Sequence, residues 1–405
     1  MTSTTDLIAL GNEHNSPSYA PGPLVIDRGE RVTLFDHDGA EYLDFVAGIA
    51  VNALGHGHPE LVKAIQEQAA KLLHVSNMFY TEPQIRLMDE LCRLSFADRV
   101  FLCNSGAEAN EAAFKLARRF QKVVAGKPNK TKIISMKNSF HGRTLAAVTA
   151  TGQPKYHKGF EPLVPDFLYA TFNDLDSIAA LADETTAAII VEPVQGEGGI
   201  VPSAPGFLAG LRALCDDVGA LLIFDEVQAG IARTGTMFAY EYDGVAPDIM
   251  ALAKGLGGGV PIGACIATDH AFEGFERGSH ASTFGGNPLA SAAALCVLEV
   301  IQRDGLCQNA TARGEELMAG LRDIAAKHDV VEDVRGRGLM VGAQCAGTSA
   351  GDIVTACRDE GLLVNIAGGN TIRFVPPLIV TEADVTSALT RFETAVSKWS
   401  NQRAA

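Results

Sequence analysis

The sequence predicts an α/β protein in which a large domain with a mostly parallel central sheet is joined to a smaller α+β domain. Two observations favour this fold class. Between about residues 61 and 289, short apolar segments alternate with segments of helical periodicity, which is typical of parallel strands connected by helices on both faces of a sheet. From about residue 290 onward, a long helical segment precedes short strands and further helices, which indicates a compact α+β unit.

Residues 1–50 are interpreted as an arm followed by a small hairpin, with strands at Val32–Phe35 and Tyr42–Phe45 and a tight turn between them. In the alternating region we expect strands at Arg99–Cys103, Lys132–Met136, Ala187–Glu192, Ala220–Asp225, Ile249–Ala253 and Gly263–Ala267. The helices expected there are Glu60–Leu73, Pro83–Leu94, Glu108–Ala125, Pro205–Val218 and Pro288–Asp304.

In the last part of the chain, a helix over residues 290–327 is expected to be interrupted near Gly305. It is followed by predicted strands at Val341–Gln344, Leu363–Asn365 and Thr371–Phe374 and helices at Ser349–Asp359 and Glu382–Ser397. We therefore divide the chain into an N-terminal arm and hairpin (1–55), a large domain (56–288) and a small domain (289–405), and we expect the hairpin to join the small domain.

The charge balance excludes some classes of partner. The chain has 33 basic and 48 acidic residues and a formal net charge of −15, whereas binding nucleic acid or an anionic membrane over a large area requires a basic face. No apolar segment of about 18 or more uninterrupted residues predicts a membrane span, and the N-terminus lacks the pattern of a signal peptide. Eight scattered cysteines without a Cys-x-x-Cys pair fit free thiols, so we expect a cytoplasmic protein.

His56 and His58 raise the question of a zinc site. No third ligand lies at a supportive spacing, and the Gly-His-Pro segment is typical of a turn. We expect no metal.

Five polar clusters follow predicted strands, and ligands of open α/β sheets bind outside the carboxyl ends of the strands. The first cluster is Asn104–Asn110, a small-residue turn at the start of a helix. Free N–H groups and the positive end of the helix dipole would suit a phosphate there. The alternative is a capped helix, with Ser105 as N-cap and Glu108 completing a capping box.

Asp225 and Lys254 each end an apolar segment. A carboxylate at the end of a central strand is costly unless it is paired, and a protonated pyridine nitrogen, a metal or an arginine would serve as its partner. The alternative is that Asp225 caps the next segment. Lys254 is flanked by apolar residues and followed by four glycines within five residues, so it is better placed than most lysines to lose its proton and act as an amine nucleophile. The alternative is a solvated surface lysine.

The remaining two clusters are Asn138–Thr144 and Val191–Gly199. In the first, Phe140 or His141 could stack on a flat ring and Arg143 could hold a carboxylate in a forked pair, unless the segment is an ordinary polar loop. In the second, Glu192 and Glu197 follow a buried strand, so each is expected to have a positive partner.

In this order the clusters resemble the class III (subgroup II, fold type I) aminotransferases, which depend on pyridoxal phosphate. A lysine that carries the cofactor and an aspartate on its ring nitrogen are what that cofactor needs. The resemblance runs from about Tyr19 to about Ser397 and rests on the motifs NSGAEANEAAFKLAR, SFHGRT, VEPVQGEGG, IFDEVQAGIARTG, ALAKGLGGGVPIGA, STFGGNPLA and IRFVPPL.

The resemblance implies a role for each matching residue. Lys254 would carry the cofactor and later move the proton, Asp225 would pair with the ring nitrogen, and Gln228 would reach the ring hydroxyl. Phe140 would stack on the ring, and the remaining implied cofactor residues are Ser105, Gly106 and Ala107 at the phosphate, Glu226 and Val227 beside Asp225, and Thr283 from the second subunit of a homodimer.

For the substrate, the resemblance implies that Arg143 binds the α-carboxylate and that Ser282 touches the substrate from the neighbouring subunit. Glu197 would neutralise Arg373 while an ω-amine is bound and release it for a carboxylate of glutamate or 2-oxoglutarate. Tyr19 and Asn77 would line the entrance.

The reaction implied is transfer of the δ-amino group of N2-acetylornithine to 2-oxoglutarate, which gives N-acetylglutamate 5-semialdehyde and glutamate in arginine biosynthesis. The alternatives are a related ω-aminotransferase for ornithine, succinylornithine, succinyldiaminopimelate or 4-aminobutyrate, and a mutase or racemase with the same cofactor. A non-catalytic relative and a nicotinamide-dinucleotide enzyme are weaker alternatives, because the presumed chemical residues are all present and the dinucleotide glycine pattern is not.

Overall fold

A computed structural model describes residues 3–404 of the chain, and the side chains of residues 3–401. Its strands are β1 (Ile26–Glu30), β2 (Thr33–Asp36), β3 (Glu41–Asp44), β4 (Arg99–Cys103), β5 (Lys132–Met136), β6 (Phe167–Ala170), β7 (Thr186–Val191), β8 (Val194–Gln195), β9 (Val201–Pro202), β10 (Leu221–Asp225), β11 (Ile249–Leu252), β12 (Gly263–Ala267), β13 (Val331–Arg337), β14 (Met340–Cys345), β15 (Leu362–Leu363), β16 (Asn365–Ala367) and β17 (Thr371–Phe374).

The helices are α1 (Thr4–His14), α2 (Ala47–Ala50), α3 (Pro59–Lys71), α4 (Glu82–Leu94), α5 (Gly106–Arg119), α6 (Leu145–Ala150), α7 (Leu175–Ala179), α8 (Phe207–Val218), α9 (Tyr240–Asp243), α10 (Asp269–Phe272), α11 (Pro288–Arg303), α12 (Leu306–Ala325), α13 (Ala350–Asp359) and α14 (Glu382–Ala404). Short 3-10 turns lie at Ser76–Met78, Pro154–Tyr156 and Lys254–Gly257, and a π-helical turn at Phe120–Val124 extends α5.

The central sheet has the strand order β4-β12-β11-β10-β7-β5-β6. The pairs β11–β10, β10–β7, β7–β5 and β5–β6 are parallel, so the prediction of a mostly parallel sheet is confirmed. Strand β12 is antiparallel to both of its neighbours, because the connection from β11 is too short for a crossover helix. Strands β7 and β10 are buried along their whole length, which is why they appear in the sequence as continuous apolar segments.

Two smaller four-stranded sheets flank this core. One has the order β1-β2-β3-β15, in which β15 from the C-terminal part pairs with the N-terminal β3. The other has the order β13-β14-β17-β16 and is entirely antiparallel. The domain boundaries given above stay a prediction.

The sequence did not indicate α1, β1, β6 or β13. Strand β1 is largely exposed and has the sequence IDRGE, so it lacks an apolar alternation, and α1 has no buried residue. Strand β6 is only four residues long and lies at the edge of the central sheet. The conformation of these elements depends more on pairing with neighbouring segments of the chain than on their own amino-acid composition.

Within residues 3–404, no helix is long and apolar enough to cross a membrane. The same residues contain no group of three or more His, Cys, Asp or Glu side chains that could hold a metal ion. His56 instead contacts the buried Asp44 through Nε2, 2.8 Å from Oδ2.

Candidate active site

A cavity of about 420 Å³ lies where β4, β5, β7, β10 and β11 end. These strands run in one direction, so their carboxyl ends bring distant segments of the chain together at one edge of the sheet. Ten residues selected from the sequence line the cavity: Ser105, Gly106, Ala107, Phe140, Arg143, Glu197, Asp225, Val227, Gln228 and Lys254.

The turn between β4 and α5 forms one wall. Ser105 is the N-cap of α5, and its Oγ accepts a hydrogen bond from the N–H of Glu108 at 3.2 Å. The Glu108 carboxylate accepts from the N–H of Asn104, one residue before the N-cap, so Ser105 caps the helix as expected but Glu108 does not complete a capping box. A Cβ on Gly106 would lie 2.6 Å from Cγ1 of Val227, so this turn has room only for glycine. The first N–H groups of α5 have no acceptor within the helix and could hold a phosphate.

Asp225 ends β10 and is 4% exposed. Its Oδ2 accepts a hydrogen bond from Nδ2 of Asn110 at 2.7 Å and lies 2.7 Å from Nδ1 of His141, while Oδ1 accepts from the N–H of Val227 at 3.0 Å. These donors fix the orientation of the carboxylate. A buried carboxylate held in this way is suited to a cationic ring nitrogen.

Lys254 follows β11 and begins a short 3-10 turn. Its backbone has φ of 44°, in the left-handed region that a non-glycine residue adopts at a cost of about 1–3 kcal/mol, usually at a functional position. Burial, and next the positive charge of Arg373, lower the pKa of Lys254 to about 8, although Glu197, Asp225 and Glu192 oppose this shift. The amine is therefore far more often neutral at pH 7–8 than an exposed lysine, which makes it a competent nucleophile.

Phe140 and Arg143 come from the loop after β5. The N–H of Phe140 donates to Oε1 of Glu192 at 2.9 Å, and Oε2 of Glu192 accepts from the N–H of Gly196 at 3.0 Å. Burial is the main cause that raises the pKa of Glu192. The expectation of a cationic partner is wrong for Glu192, which among residues 3–401 has no lysine, arginine or histidine nitrogen within 4 Å and is satisfied by backbone donors instead.

Glu197 does have the expected cationic partner. Nη1 of Arg373 donates to Oε1 of Glu197 at 2.5 Å and to Oε1 of Gln228 at 3.2 Å, and Nε donates to Oδ1 of Asn365 at 3.1 Å. The Arg373 side chain is 1% exposed and that of Glu197 is 22% exposed. A guanidinium this deeply buried depends on its partner, whereas Glu197 lines the cavity and has room to move.

Six other residues selected from the sequence do not line the cavity in the single chain. Arg373 lies behind Glu197. The Glu226 side chain faces away from Asp225, because successive side chains of an extended segment point to opposite sides, and it accepts from the N–H groups of Ala239 and Tyr240 at 2.6 and 2.8 Å. The other four lie elsewhere on the surface: Tyr19, Asn77, Ser282 and Thr283.

Asn77 and Ser282 nevertheless meet each other. Nδ2 of Asn77 donates to the carbonyl oxygens of Ser282 and Gly285, both at 3.1 Å. Nδ2 of Asn104, in the turn before α5, donates to Oγ of Ser282 at 3.3 Å. The segment with Ser282 and the exposed Thr283 is therefore tied to the wall of the cavity without entering it.

Asn110, to which the sequence analysis gave no role of its own, and His141, which it considered for stacking on a flat ring, also line the cavity, and both contact Asp225. Oδ1 of Asn110 and Nε2 of His141 are buried and have no hydrogen-bond partner among the described residues. Such orphaned polar atoms are rare and indicate a missing ligand or water. A buried asparagine in the first turns of an otherwise apolar helix face was the signal that could have revealed Asn110.

A buried amine, a buried carboxylate and an anion-binding turn around one cavity are the groups that enzymes dependent on pyridoxal phosphate use. The comparisons with known proteins agree with this class. Residues 15–396 match the family described as aminotransferase class-III. The chain belongs to the class-III aminotransferases.

Three relatives illustrate the similarity. The acetylornithine aminotransferase of Caldanaerobacter subterraneus is 47% identical over 392 residues, which are 97% of this chain and 99% of the relative. The crystal structure of N-acetylornithine aminotransferase from Stenotrophomonas maltophilia is 39% identical, covers 98% of this chain and 100% of its own, and has a TM-score of 0.85. A structure of ornithine aminotransferase from Toxoplasma gondii is 33% identical to this chain and has a TM-score of 0.97. The match covers 100% of this chain and 96% of that one, which has partial occupancy of pyridoxal phosphate at its active site.

Class-III aminotransferases use pyridoxal phosphate, and the residues of this cavity fit that cofactor. The turn at Gly106 offers N–H groups for the phosphate, Lys254 offers an amine and Asp225 a carboxylate. Phe140 and Val227 supply apolar surface for a flat ring. The orphaned atoms of Asn110 and His141 fit a polar ligand in the same cavity.

Proposed function

We propose that this enzyme transfers the δ-amino group of N2-acetylornithine to 2-oxoglutarate, and that N-acetylglutamate 5-semialdehyde and glutamate are the products. The observation that carries the proposal is the 47% identity, over nearly the full length of both chains, to a relative named acetylornithine aminotransferase. Two arginines at one cavity support it: Arg143, which has no ion pair among residues 3–401, and Arg373, which is buried and paired with Glu197. The donor has one carboxylate and 2-oxoglutarate has two, so the two substrates need different numbers of free arginines.

In this proposal, pyridoxal phosphate supplies a carbonyl carbon for the amine and a ring that accepts electrons from the carbon that bears it. Lys254 holds the cofactor through Nζ and then moves a proton between the two reacting carbons. Asp225 keeps the proton on the ring nitrogen, and Asn110 and His141 hold its carboxylate in place. Gln228 would reach the ring hydroxyl. The remaining cofactor contacts would come from Ser105, Gly106, Ala107, Phe140 and Val227, and from Thr283 of the second subunit; Glu226 is not among them, because its side chain faces away from the cavity.

Arg143 binds the α-carboxylate of the amino donor as a forked ion pair. Glu197 neutralises Arg373 while the δ-amine end of the donor, which has no carboxylate, is bound, and it moves aside when 2-oxoglutarate brings a second carboxylate. Arg373 then pairs with that carboxylate, so one cavity accepts two substrates of different charge. Tyr19, Asn77 and Ser282 are proposed to border the entrance.

The enzyme is proposed to act as a homodimer with shared active sites. Six large apolar side chains are 40–89% exposed around the 72–80 segment and the adjoining 282–285 turn: Leu72, Leu73, Met78, Phe79, Tyr80 and Phe284. The rings of His74 and Phe284 are 5.1 Å apart, so the two segments form one surface. An exposed apolar patch of this kind is typical of a subunit interface, and Thr283 within it is suited to reach the phosphate of the second subunit. A cytoplasmic location is proposed from the free cysteines.

The experiment is a comparison of amino donors with the purified holoenzyme. The donors are N2-acetylornithine, ornithine, N-succinylornithine and 4-aminobutyrate, with 2-oxoglutarate as acceptor and glutamate formation as the readout. We expect the highest kcat/KM with N2-acetylornithine. A higher value with ornithine would overturn this substrate assignment. The enzyme would then be an ornithine aminotransferase, the second candidate, which the similarity in fold to the Toxoplasma gondii enzyme favours. Turnover of a donor without 2-oxoglutarate would favour a mutase or racemase.

A further inference from the structure

Arg143 lies against two aromatic rings. Its guanidinium carbon is 4.0 Å from the centroid of the Tyr156 ring and 5.5 Å from that of Phe140. The two rings are 5.9 Å apart and meet edge to face at 81°. Among residues 3–401, no carboxylate oxygen lies within 4 Å of the Arg143 side-chain nitrogens. Of the two rings, that of Tyr156 is the closer to this cation, and the contact takes the place of an ion pair.

Tyr156 is itself fixed to the wall of the cavity. It ends the Pro154–Tyr156 turn, and its N–H donates to the carbonyl oxygen of Gln153 at 3.0 Å. Nε2 of Gln153 in turn donates to the carbonyl oxygen of Ser139 at 3.0 Å, directly before Phe140. The turn with Tyr156 is thus anchored to the same loop that supplies Arg143, and the two side chains keep a defined relationship.

A guanidinium that stacks on a ring keeps its N–H groups free, because they point outward in its own plane. Those N–H groups can then form the two parallel hydrogen bonds of a forked carboxylate pair. An arginine without such support loses rotamer freedom when it binds, and this cost weakens the ion pair. Stacking on Tyr156 removes part of that cost in advance.

We propose that Tyr156 is a positioning residue that orients Arg143 for the α-carboxylate of the amino donor, an inference that rests on the proposed role of Arg143. Lys155 adds a second positive charge at this place, because its ammonium is 4.7 Å from the centroid of the same ring. The ring, and not the hydroxyl, carries the effect. Tyr156 acts on the donor half-reaction only through Arg143.

The test compares Tyr156→Phe with Tyr156→Leu in the holoenzyme. The donor half-reaction is followed in single turnovers by the absorbance of the cofactor, which also measures slow variants. Since an arginine–ring contact stabilises by about 0.5–2 kcal/mol, we expect Tyr156→Leu to lower kcat/KM for N2-acetylornithine roughly 2-fold to 30-fold, mainly through KM. Tyr156→Phe should restore nearly the full value. Equal losses in both variants would overturn the proposal.

A double-mutant cycle separates positioning from general damage. In an Arg143→Met background, adding Tyr156→Leu should lower kcat/KM for N2-acetylornithine very little, because the arginine through which Tyr156 acts is already absent. N-acetylputrescine, which is the same donor without its carboxylate, should react equally well with the wild type and Tyr156→Leu. A matched control is Tyr242→Leu, which removes a ring 4.3 Å from the guanidinium of Arg337 outside the cavity and should leave KM unchanged.

The failures of the two proposals differ. If Arg143→Met leaves KM for every carboxylated donor unchanged, the proposed role of Arg143 is wrong, and the inference about Tyr156 is overturned as well. If Arg143→Met raises KM but Tyr156→Leu does not, only the inference about Tyr156 is overturned. If ornithine or succinylornithine proves to be the donor, the same cycle applies, because each has an α-carboxylate.

Discussion

Asn110 on α5 donates a hydrogen bond through Nδ2 to Oδ2 of Asp225 at 2.7 Å, although 115 residues separate them in the chain. The same oxygen lies 2.7 Å from Nδ1 of His141. An aspartate that only had to balance a charge would need neither partner. Two donors on one oxygen hold the carboxylate plane in a single orientation. A carboxylate that pairs with the ring nitrogen of the cofactor needs this fixed orientation.

Asn110→Leu tests this arrangement. The variant removes one donor to a charged group, which is worth about 1.5–3 kcal/mol, so we expect the dissociation constant of pyridoxal phosphate to rise by about 10-fold to 150-fold. The measurement is an equilibrium titration of the cofactor-free protein. Gln121→Leu is the matched control: it removes another buried amide, which donates to the carbonyl oxygens of Ala187 and Gly219 away from the cavity. Similar cofactor affinity in the two variants would contradict the role of Asn110.

Lys254→Ala should abolish turnover. A group that transfers protons in the transition state contributes about 10²-fold to 10⁴-fold, and the loss of the nucleophile adds to this. Glutamate formation at saturating substrates measures the effect. Lys130→Met is the control, because Lys130 is also a buried lysine whose pKa is lowered by burial, yet it donates to the carbonyl oxygen of Val218 and lies outside the cavity. Lys130→Met should lose stability and keep its kcat. Turnover of Lys254→Ala at the rate of the wild type would contradict the catalytic role of Lys254.

The pH dependence of stability follows from Lys254 in the cofactor-free protein. Its pKa is lowered to about 8 from 10.5 in an exposed lysine, so between these values the unfolded chain binds more protons than the folded one. The free energy of unfolding therefore rises with pH across this window, by on the order of 3 kcal/mol, and the gain is lost again as pH falls through about 8.

Denaturant unfolding of the wild type and of Lys254→Met between pH 7 and pH 11 isolates this contribution, because all other groups titrate in both proteins. We expect the difference in unfolding free energy between them to change with pH inside the window and to level off outside it. Two parallel curves would show that Lys254 has an ordinary pKa.

Glu197→Gln should change the two half-reactions in opposite directions. The substitution leaves the buried Arg373 without its anionic partner, so the cavity becomes better suited to glutamate and 2-oxoglutarate and worse for the δ-amine end of the donor, which has no carboxylate to pair with Arg373. We expect the ratio of kcat/KM values, donor over glutamate, to fall by about tenfold or more, or about 1.4 kcal/mol. Asp183→Asn, which breaks an ion pair with Lys132 away from the cavity, should leave the ratio unchanged. An unchanged ratio in Glu197→Gln would rule out the exchange of partners.

The proposed dimer can be tested by placing a charge in the exposed apolar surface. Phe79 and Tyr80 are 68% and 89% exposed. A variant with both Phe79→Asp and Tyr80→Asp should weaken self-association by about 30-fold or more, because losing an interface anchor costs about 2 kcal/mol of binding free energy. Sedimentation measures the effect. Val123→Asp, at another apolar side chain with 53% exposure, should leave the assembly unchanged. A wild-type protein that sediments as a monomer would contradict the proposal.

The sequence by itself determined most of the central sheet and the residues around the cavity. Fully buried parallel strands such as β7 and β10 leave a continuous apolar pattern, and the polar residue that ends each strand then stands out. Asp225 and Lys254 could be selected in this way, since a charge at the end of a buried segment needs a chemical reason. Edge elements such as β6, and exposed ones such as β1, left no such pattern.

Only the tertiary structure decided how these side chains are paired. Asn110 and His141 meet Asp225, and Tyr156 meets Arg143, through contacts between separate loops that no local pattern encodes. Glu226 and Asp225 are neighbours in sequence, yet the backbone turns one toward backbone N–H groups and the other toward the cavity. The chemical identity of a site can be read from residue types in order, whereas the orientation of each group depends on which distant atoms donate to it in the folded chain.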